Sequence, residues 1–260
     1  MCGGWGNVVA MRPQYLSPEL FHFVGSSSPL DHERNYAVLK LVLSSGCVSH
    51  PPYEKGWGTV AYTLDLKKRL ALEEMLIPTV TCYCDIPYVH LGPHIGKYGS
   101  FGLSFSRHHL TKFGARPVIY VPCRPDDWAG VFSGHSHLEE LESTFRDVCQ
   151  RRRTMDSSVE EPKRGVGLES RPRTLFETLQ NAERTLALRV LAFVKPYEST
   201  LDDSDPQYFY SEREWRKLGN FVFGPRDVFR VVVHPSYLER GKQELAAYRD
   251  RLVTTPATDD

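Results

Sequence analysis

The sequence predicts an α+β fold: a mixed, mainly antiparallel central sheet with flanking helices. Helical patterns gather near the two ends of the chain, and β-branched or aromatic runs of strand length fill the middle. The two kinds also fail to alternate as crossover units of a doubly wound sheet would.

Leu20-Phe21-His22-Phe23-Val24-Gly25 reads as a first strand ending at a glycine, and the Ser26 to Pro29 turn leads into a helix over 30–45 that Gly46 stops. A second helix is expected over 64–76, where lysines and acids interrupt an apolar spacing ahead of Pro78. Strands are then expected at Thr79–Cys84, Gly102–Phe105 and Pro117–Val121. Residues 138–152 read as a helix whose basic end, Arg151-Arg152-Arg153, suits the helix dipole. The stretch 153–173 is highly charged and lacks apolar periodicity, so a flexible insertion is expected in an otherwise single domain over 1–260. A helix over 175–188, strands at 190–195, 221–223 and 228–233, and a closing helix over 238–252 complete the reading.

Thirty-two basic residues balance thirty-two acidic ones, so no global field recruits nucleic acid or a membrane. The first residues lack the pattern of a signal peptide, and no segment approaches the roughly 20 apolar residues of a membrane helix, so a cytoplasmic protein is expected. Six scattered cysteines suit reduced thiols.

The densest chemistry lies in Tyr208-Phe209-Tyr210-Ser211-Glu212-Arg213-Glu214-Trp215-Arg216. On a strand, Glu212, Glu214 and Arg216 share one face. Two carboxylates so placed suit chemistry at a sugar anomeric carbon, one stabilising developing positive charge and the other positioning an acceptor. A Glu214–Arg216 ion pair accounts for the same spacing without chemistry. His22, flanked by rings, faces away from both and is a candidate donor to a ribose. The glycines of Tyr98-Gly99-Ser100-Phe101-Gly102 permit close backbone approach to a ligand, and Ser104 and Ser106 share a strand face. Cys82 and Cys84 with His90 and His94 are of zinc-ligand type but lack a second compact pair, so no metal is expected.

Phe21-His22-Phe23, Cys84-Asp85-Ile86-Pro87, the 98–105 segment and Phe209 to Arg216, in that order, resemble the AbiGi family of abortive-infection phage-resistance proteins. That family is described as the antitoxin-like partner of a two-gene system, which implies phage defence and a toxin-like protein partner. The order of His22, the middle strand and Glu212-x-Glu214 is more remotely similar to ADP-ribosyltransferases of the DNA-modifying DarT type. That similarity implies an ADP-ribosyltransferase-like fold that takes NAD as substrate and modifies a nucleic-acid or protein target. His22 would bind the adenosine-side ribose, and Ser104 and Ser106 would support the nicotinamide pocket, with Tyr98, Gly99 and Arg216 as further cofactor contacts. Glu214 would be the catalytic carboxylate, and Glu212 would help activate the acceptor. Ser104 stands where one subclass has tyrosine, and His22 where the other has arginine.

Overall fold

A computed structural model describes residues 17–50, 55–123, 134–159, 171–198, 200–202, 205 and 208–256. In chain order it runs β1 (Glu19–Phe23), α1 (His32–Ser45), β2 (Cys47–Val48), β3 (Tyr62–Leu64), β4 (Leu76–Pro78), β5 (Val80–Cys84), α2 (Gly92–Tyr98), β6 (Gly102–Ser106) and α3 (Arg107–Lys112). Next come β7 (Arg116–Pro117), β8 (Ile119–Pro122), α4 (Gly134–Val159), α5 (Arg171–Thr185) and β9 (Val194–Tyr197). The chain closes with β10 (Glu214–Leu218), β11 (Phe221–Val222), β12 (Val228–Val233), α6 (Leu238–Glu244) and β13 (Leu252–Thr254).

Seven strands form one sheet in the order β13-β12-β6-β1-β5-β10-β7. The pairs β1–β5, β1–β6, β6–β12 and β7–β10 are antiparallel, while β12–β13 is parallel. The expected mixed, mainly antiparallel sheet is therefore present, with helices around it. Three two-stranded ladders, β2–β11, β3–β4 and β8–β9, stand beside it.

The chain divides into two compact units, one drawn from Met1–Leu41, Tyr83–Thr111 and Gly224–Asp260, the other from Val42–Cys82 and Lys112–Phe223. In the first, Phe21 and Phe23 are buried and stacked, and they join Cys84, Leu91 and Val232 in a core, while His22 between them is partly exposed and Leu20 is buried as well. Gly102, opposite Phe23, is obligatory, since a Cβ there would lie 2.7 Å from the His22 carbonyl and 2.9 Å from the Phe23 ring. In the second unit, Leu70, Met75, Leu76, Val121, Phe145, Cys149 and Leu191 form the core. Gly46 ends α1 as expected: its φ of +62 is left-handed, and a Cβ would meet the Phe223 carbonyl at 2.6 Å.

Several expectations need correction. Residues 64–76 are not a helix; Tyr62–Leu64 and Leu76–Pro78 are paired strands with a short 3-10 turn, Leu70–Leu72, between them. Tertiary bonds override the helical pattern. Glu142 of α4 accepts the Leu70 N–H at 2.7 Å, Arg146 donates to the Leu66 and Lys68 carbonyls, and Asp65 accepts the Lys67 N–H at 2.9 Å.

Residues 190–193 are not strand either. A π-helical turn over Leu186–Val190 and a 3-10 turn over Leu191–Phe193 follow α5, and β9 begins only at Val194. The helix-favouring run Leu186-Ala187-Leu188 carries that turn on, with its apolar residues in the core. The closing helix stops at Glu244; a 3-10 turn over Ala246–Arg251 then delivers β13, whose Val253 packs on the first unit's core. Of the stretch 153–173, residues 153–159 continue α4 and 171–173 begin α5, while 160–170 lie outside the described residues. No helix among the described residues is long and apolar enough to cross a membrane.

Candidate functional site

In the second unit, β10 begins at Glu214, and the preceding Phe209–Glu212 is a 3-10 turn rather than strand. Glu212 therefore does not share the strand face of Glu214 and Arg216. The break is at Arg213, whose φ of +48 is left-handed. For a residue with a Cβ, that conformation costs on the order of 1 kcal/mol. From Glu214 to Arg216 the alternation expected of a strand holds, and it ends at Lys217, which is buried as well. Glu214 and Arg216 point inward and are 8% and 7% exposed, while Trp215 between them is half-buried.

The Arg216 guanidinium is saturated. Nε donates to Glu214 Oε1 at 2.8 Å, Nη2 to Glu214 Oε2 at 3.3 Å and Glu73 Oε1 at 3.0 Å, and Nη1 to the Ala192 and Val194 carbonyls at 3.0 and 3.4 Å. All five donors of the fork have acceptors. Lys195, on β9, closes the cluster with an ion pair to Glu73 and lies 4.4 Å from the Phe209 ring centre. Two cations thus face two carboxylates, the condition under which charge can be buried at tolerable cost.

Burial alone would raise the Glu214 carboxyl, but the Arg216 charge and hydrogen bonds, with Lys195, outweigh it and hold the group below its ordinary value. The surrounding protein pushes the Cys82 thiol well up, and the Glu214 carboxylate adds to this, even though Cys82 keeps a solvent-exposed face. Such a thiol is a poor nucleophile. Tyr120 accepts the Glu214 N–H at 2.7 Å, and burial followed by the Glu214 and Glu212 carboxylates pushes its hydroxyl up.

The first unit holds a second acid–arginine centre. Ser104 is fully buried; its hydroxyl donates to Glu19 Oε2 and accepts the Arg230 N–H at 3.1 Å, while Arg230 Nε donates to Glu19 Oε1 at 2.8 Å. Asp85, from the Cys-Asp-Ile-Pro string, accepts Arg107 Nη2 at 2.8 Å and the Ser17 N–H at 3.3 Å. Ser106 accepts the His109 N–H at 3.4 Å at the start of α3. His22, partly exposed, packs its ring 5.8 Å from that of Tyr83.

Tyr98 ends α2 and stacks on His94 at 4.4 Å. Gly99, with a φ of +85, spends its close approach on the protein itself, where a Cβ would lie 3.1 Å from the Pro29 carbonyl. Burial lowers the His94 imidazole to about 4. Among the described residues no group of three His, Cys, Asp or Glu side chains is arranged to hold a metal ion.

The structure thus gathers Glu214 and Arg216 in one unit, while His22, Tyr98, Gly99, Ser104 and Ser106 belong to the other. Sequence reasoning missed Glu73, Lys195 and Tyr120 around the centre in the second unit, and the bonds that Glu19, Asp85, Arg107 and Arg230 make in the first unit. Glu19 carries a usable signal, because it precedes Leu20 in phase with Phe21 and Phe23 on an apolar strand. Glu73 carries none, standing 143 residues from Arg216.

Residues 58–237, more than half of the chain, match the model of a family described as "Putative abortive phage resistance protein AbiGi, antitoxin". The chain belongs to that family. No curated protein and no solved structure matches it.

Proposed function

We propose, with that membership as premise, that the chain serves phage defence as the restraining, antitoxin-type component of an abortive-infection pair, binding a protein toxin rather than catalysing a reaction. The observation that carries this reading is the Glu214 carboxylate. It is the best-placed acid for chemistry at a sugar carbon, yet both of its oxygens are engaged by one buried guanidinium. A carboxylate that must hold a ribose hydroxyl and stabilise developing positive charge needs an oxygen turned toward the ligand. Releasing one here would strip a buried arginine of its partner, which costs several kcal/mol. Ser104 is similarly committed, to Glu19 and the Arg230 N–H. The family's description as an antitoxin points the same way and implies a toxin as counterpart.

The test is co-expression with the product of the gene adjacent to this chain's own, followed by size-exclusion chromatography and a growth assay. The expected result is a stable complex and restored growth, with no label transferred when the purified chain is incubated with labelled NAD and phage or host extract. Transfer of ADP-ribose that disappears in Glu214→Gln would replace the restraint reading with the transferase one.

A further inference from the structure

A cavity of about 180 Å3 opens on the second unit between α4 and the turns that follow α5. Leu141, Phe145, Leu186 and Leu191 give it an apolar floor, and the exposed His137, Glu140 and Thr144 edge it. On α4 these positions fall at i, i+3, i+4, i+7 and i+8, the stripe of one helix face. The opposite wall depends on the π-helical turn over Leu186–Val190, in which the Leu191 N–H donates to the Leu186 carbonyl. Residues five apart on an α-helix stand about 140° apart around the axis, so a regular helix would turn one leucine away. The wider π turn brings both to the same wall, and such turns recur at functional sites.

Size and charge select the occupant. Small-molecule and cofactor sites measure roughly 300–1,000 Å3, whereas an engineered apolar hole of about 150 Å3 takes a single benzene. The cavity on α4 is therefore the size of one side chain. Its floor asks for a hydrocarbon stem, and Glu140 sets the head group. The neighbouring acids of α4 are paired, Glu139 with Arg69 at 3.9 Å and Glu142 with Arg146 at 2.8 Å. Glu140 is exposed and has no ion pair among the described residues. Lysine and arginine lay their methylenes on apolar surface and carry their charge beyond it, which matches floor and edge together.

We propose that this cavity takes one lysine or arginine of the toxin as an anchor, its methylenes against Leu141, Leu186 and Leu191 and its charge on Glu140. The inference rests on the restraint reading and deepens it, since it names the contact by which the toxin is held.

The experiment measures affinity between the purified chain and the purified product of the adjacent gene for wild type, Glu140→Lys, Thr144→Trp and Glu139→Lys. Thr144→Trp sets a bulky ring at the edge of the cavity, and Glu139→Lys makes the same charge change one position away, outside the lining. Unchanged thermal midpoints confirm that each variant folds. The inference predicts a loss of at least about tenfold for Glu140→Lys and for Thr144→Trp, in the range of an interface anchor. Glu139→Lys should bind close to wild type. On the other side, alanine at one lysine or arginine of the partner should reproduce the loss and add little to it in combination with Glu140→Lys, because the two changes remove one contact. Wild-type binding that neither Glu140→Lys nor Thr144→Trp weakens overturns the cavity as the contact and leaves the restraint reading standing. An equal loss in Glu139→Lys reduces the effect to a general field and overturns it too, as does coupling of Glu140 to a partner residue that is not basic. A change in self-association of Thr144→Trp, with partner affinity intact, assigns the cavity to a second copy of the chain and likewise overturns the inference. Failure of the wild type to bind at all sinks the restraint reading and this inference with it.

Discussion

The two acid–arginine centres use the same chemistry and are built differently. In the first unit, Glu19, Ser104 and Arg230 come from β1, β6 and β12, strands that lie side by side in one sheet, with a register shift between Val228 and Arg230 in the β12–β6 ladder. In the second, Glu214 and Arg216 come from one strand and draw in Glu73 and the carbonyls of Ala192 and Val194. Glu73 and Arg213 are also the two non-glycine residues with positive φ among the described residues, at 54 and 48. The first centre joins three strands of one sheet across a register shift. The second clamps irregular turns to a strand, and two residues with left-handed backbone lie in or next to it. Strain of this kind persists where the surroundings over-determine the conformation, and at Glu73 the bonds to Arg216 and Lys195 supply such a constraint.

The largest effect expected from this contrast is for Arg216→Met, which leaves the buried Glu214 carboxylate and two carbonyls without their donor and Glu73 with Lys195 alone. Urea unfolding should show a loss of about 3–5 kcal/mol. Arg230→Met should cost less, about 1–2 kcal/mol, because the Arg230 side chain is 33% exposed and its acceptor keeps Ser104. Equal losses would break the comparison.

Acid should separate the two units by pH window. His94, in the first unit, is lowered from 6.5 to about 4, so the unfolded chain binds its proton first. Stability contributed by the neutral ring is complete above pH 6.5 and lost as pH falls toward 4, by about 2–3 kcal/mol after allowance for solvent. His94→Phe, which keeps a ring against Tyr98 and Phe23, should flatten the unfolding free energy across that window. Glu214 is depressed below 4.5, so its contribution is present above that value and fades only at lower pH. The smallest effect is expected for Arg213→Gly: relief of a left-handed arginine, offset by the freer unfolded chain, should change stability by no more than about 1 kcal/mol.

Where local pattern and final contacts agree, the sequence was readable. Phe-His-Phe set β1, Gly46 ended α1, and the two-residue alternation from Glu214 to Arg216 put both side chains on one face. Even the bland account of that spacing, an ion pair, is what formed. Reading failed where distant partners decide the backbone. Nothing in 64–76 announces that Glu142 and Arg146 will capture its amides and carbonyls, and the left-handed turn at Arg213 removed Glu212 from the strand although its aromatic neighbours favoured one. The grouping of Glu19, Ser104 and Arg230 could not be read for the same reason, although Glu19 stands out on an apolar strand, since the three meet only through strand register.

The central claim is that Glu214 and Arg216 form a structural clamp, with both Glu214 oxygens held by the guanidinium. Removing both charges together, in Glu214→Gln/Arg216→Met, tests it most directly, because the double change leaves no Glu214–Arg216 charge to be orphaned. In a growth assay with a toxin that the wild type restrains, the folded double variant is predicted to restrain it equally, at a lower thermal midpoint. Loss of restraint by a double variant that is folded and still binds the toxin would contradict the account and place the chemistry at Glu214.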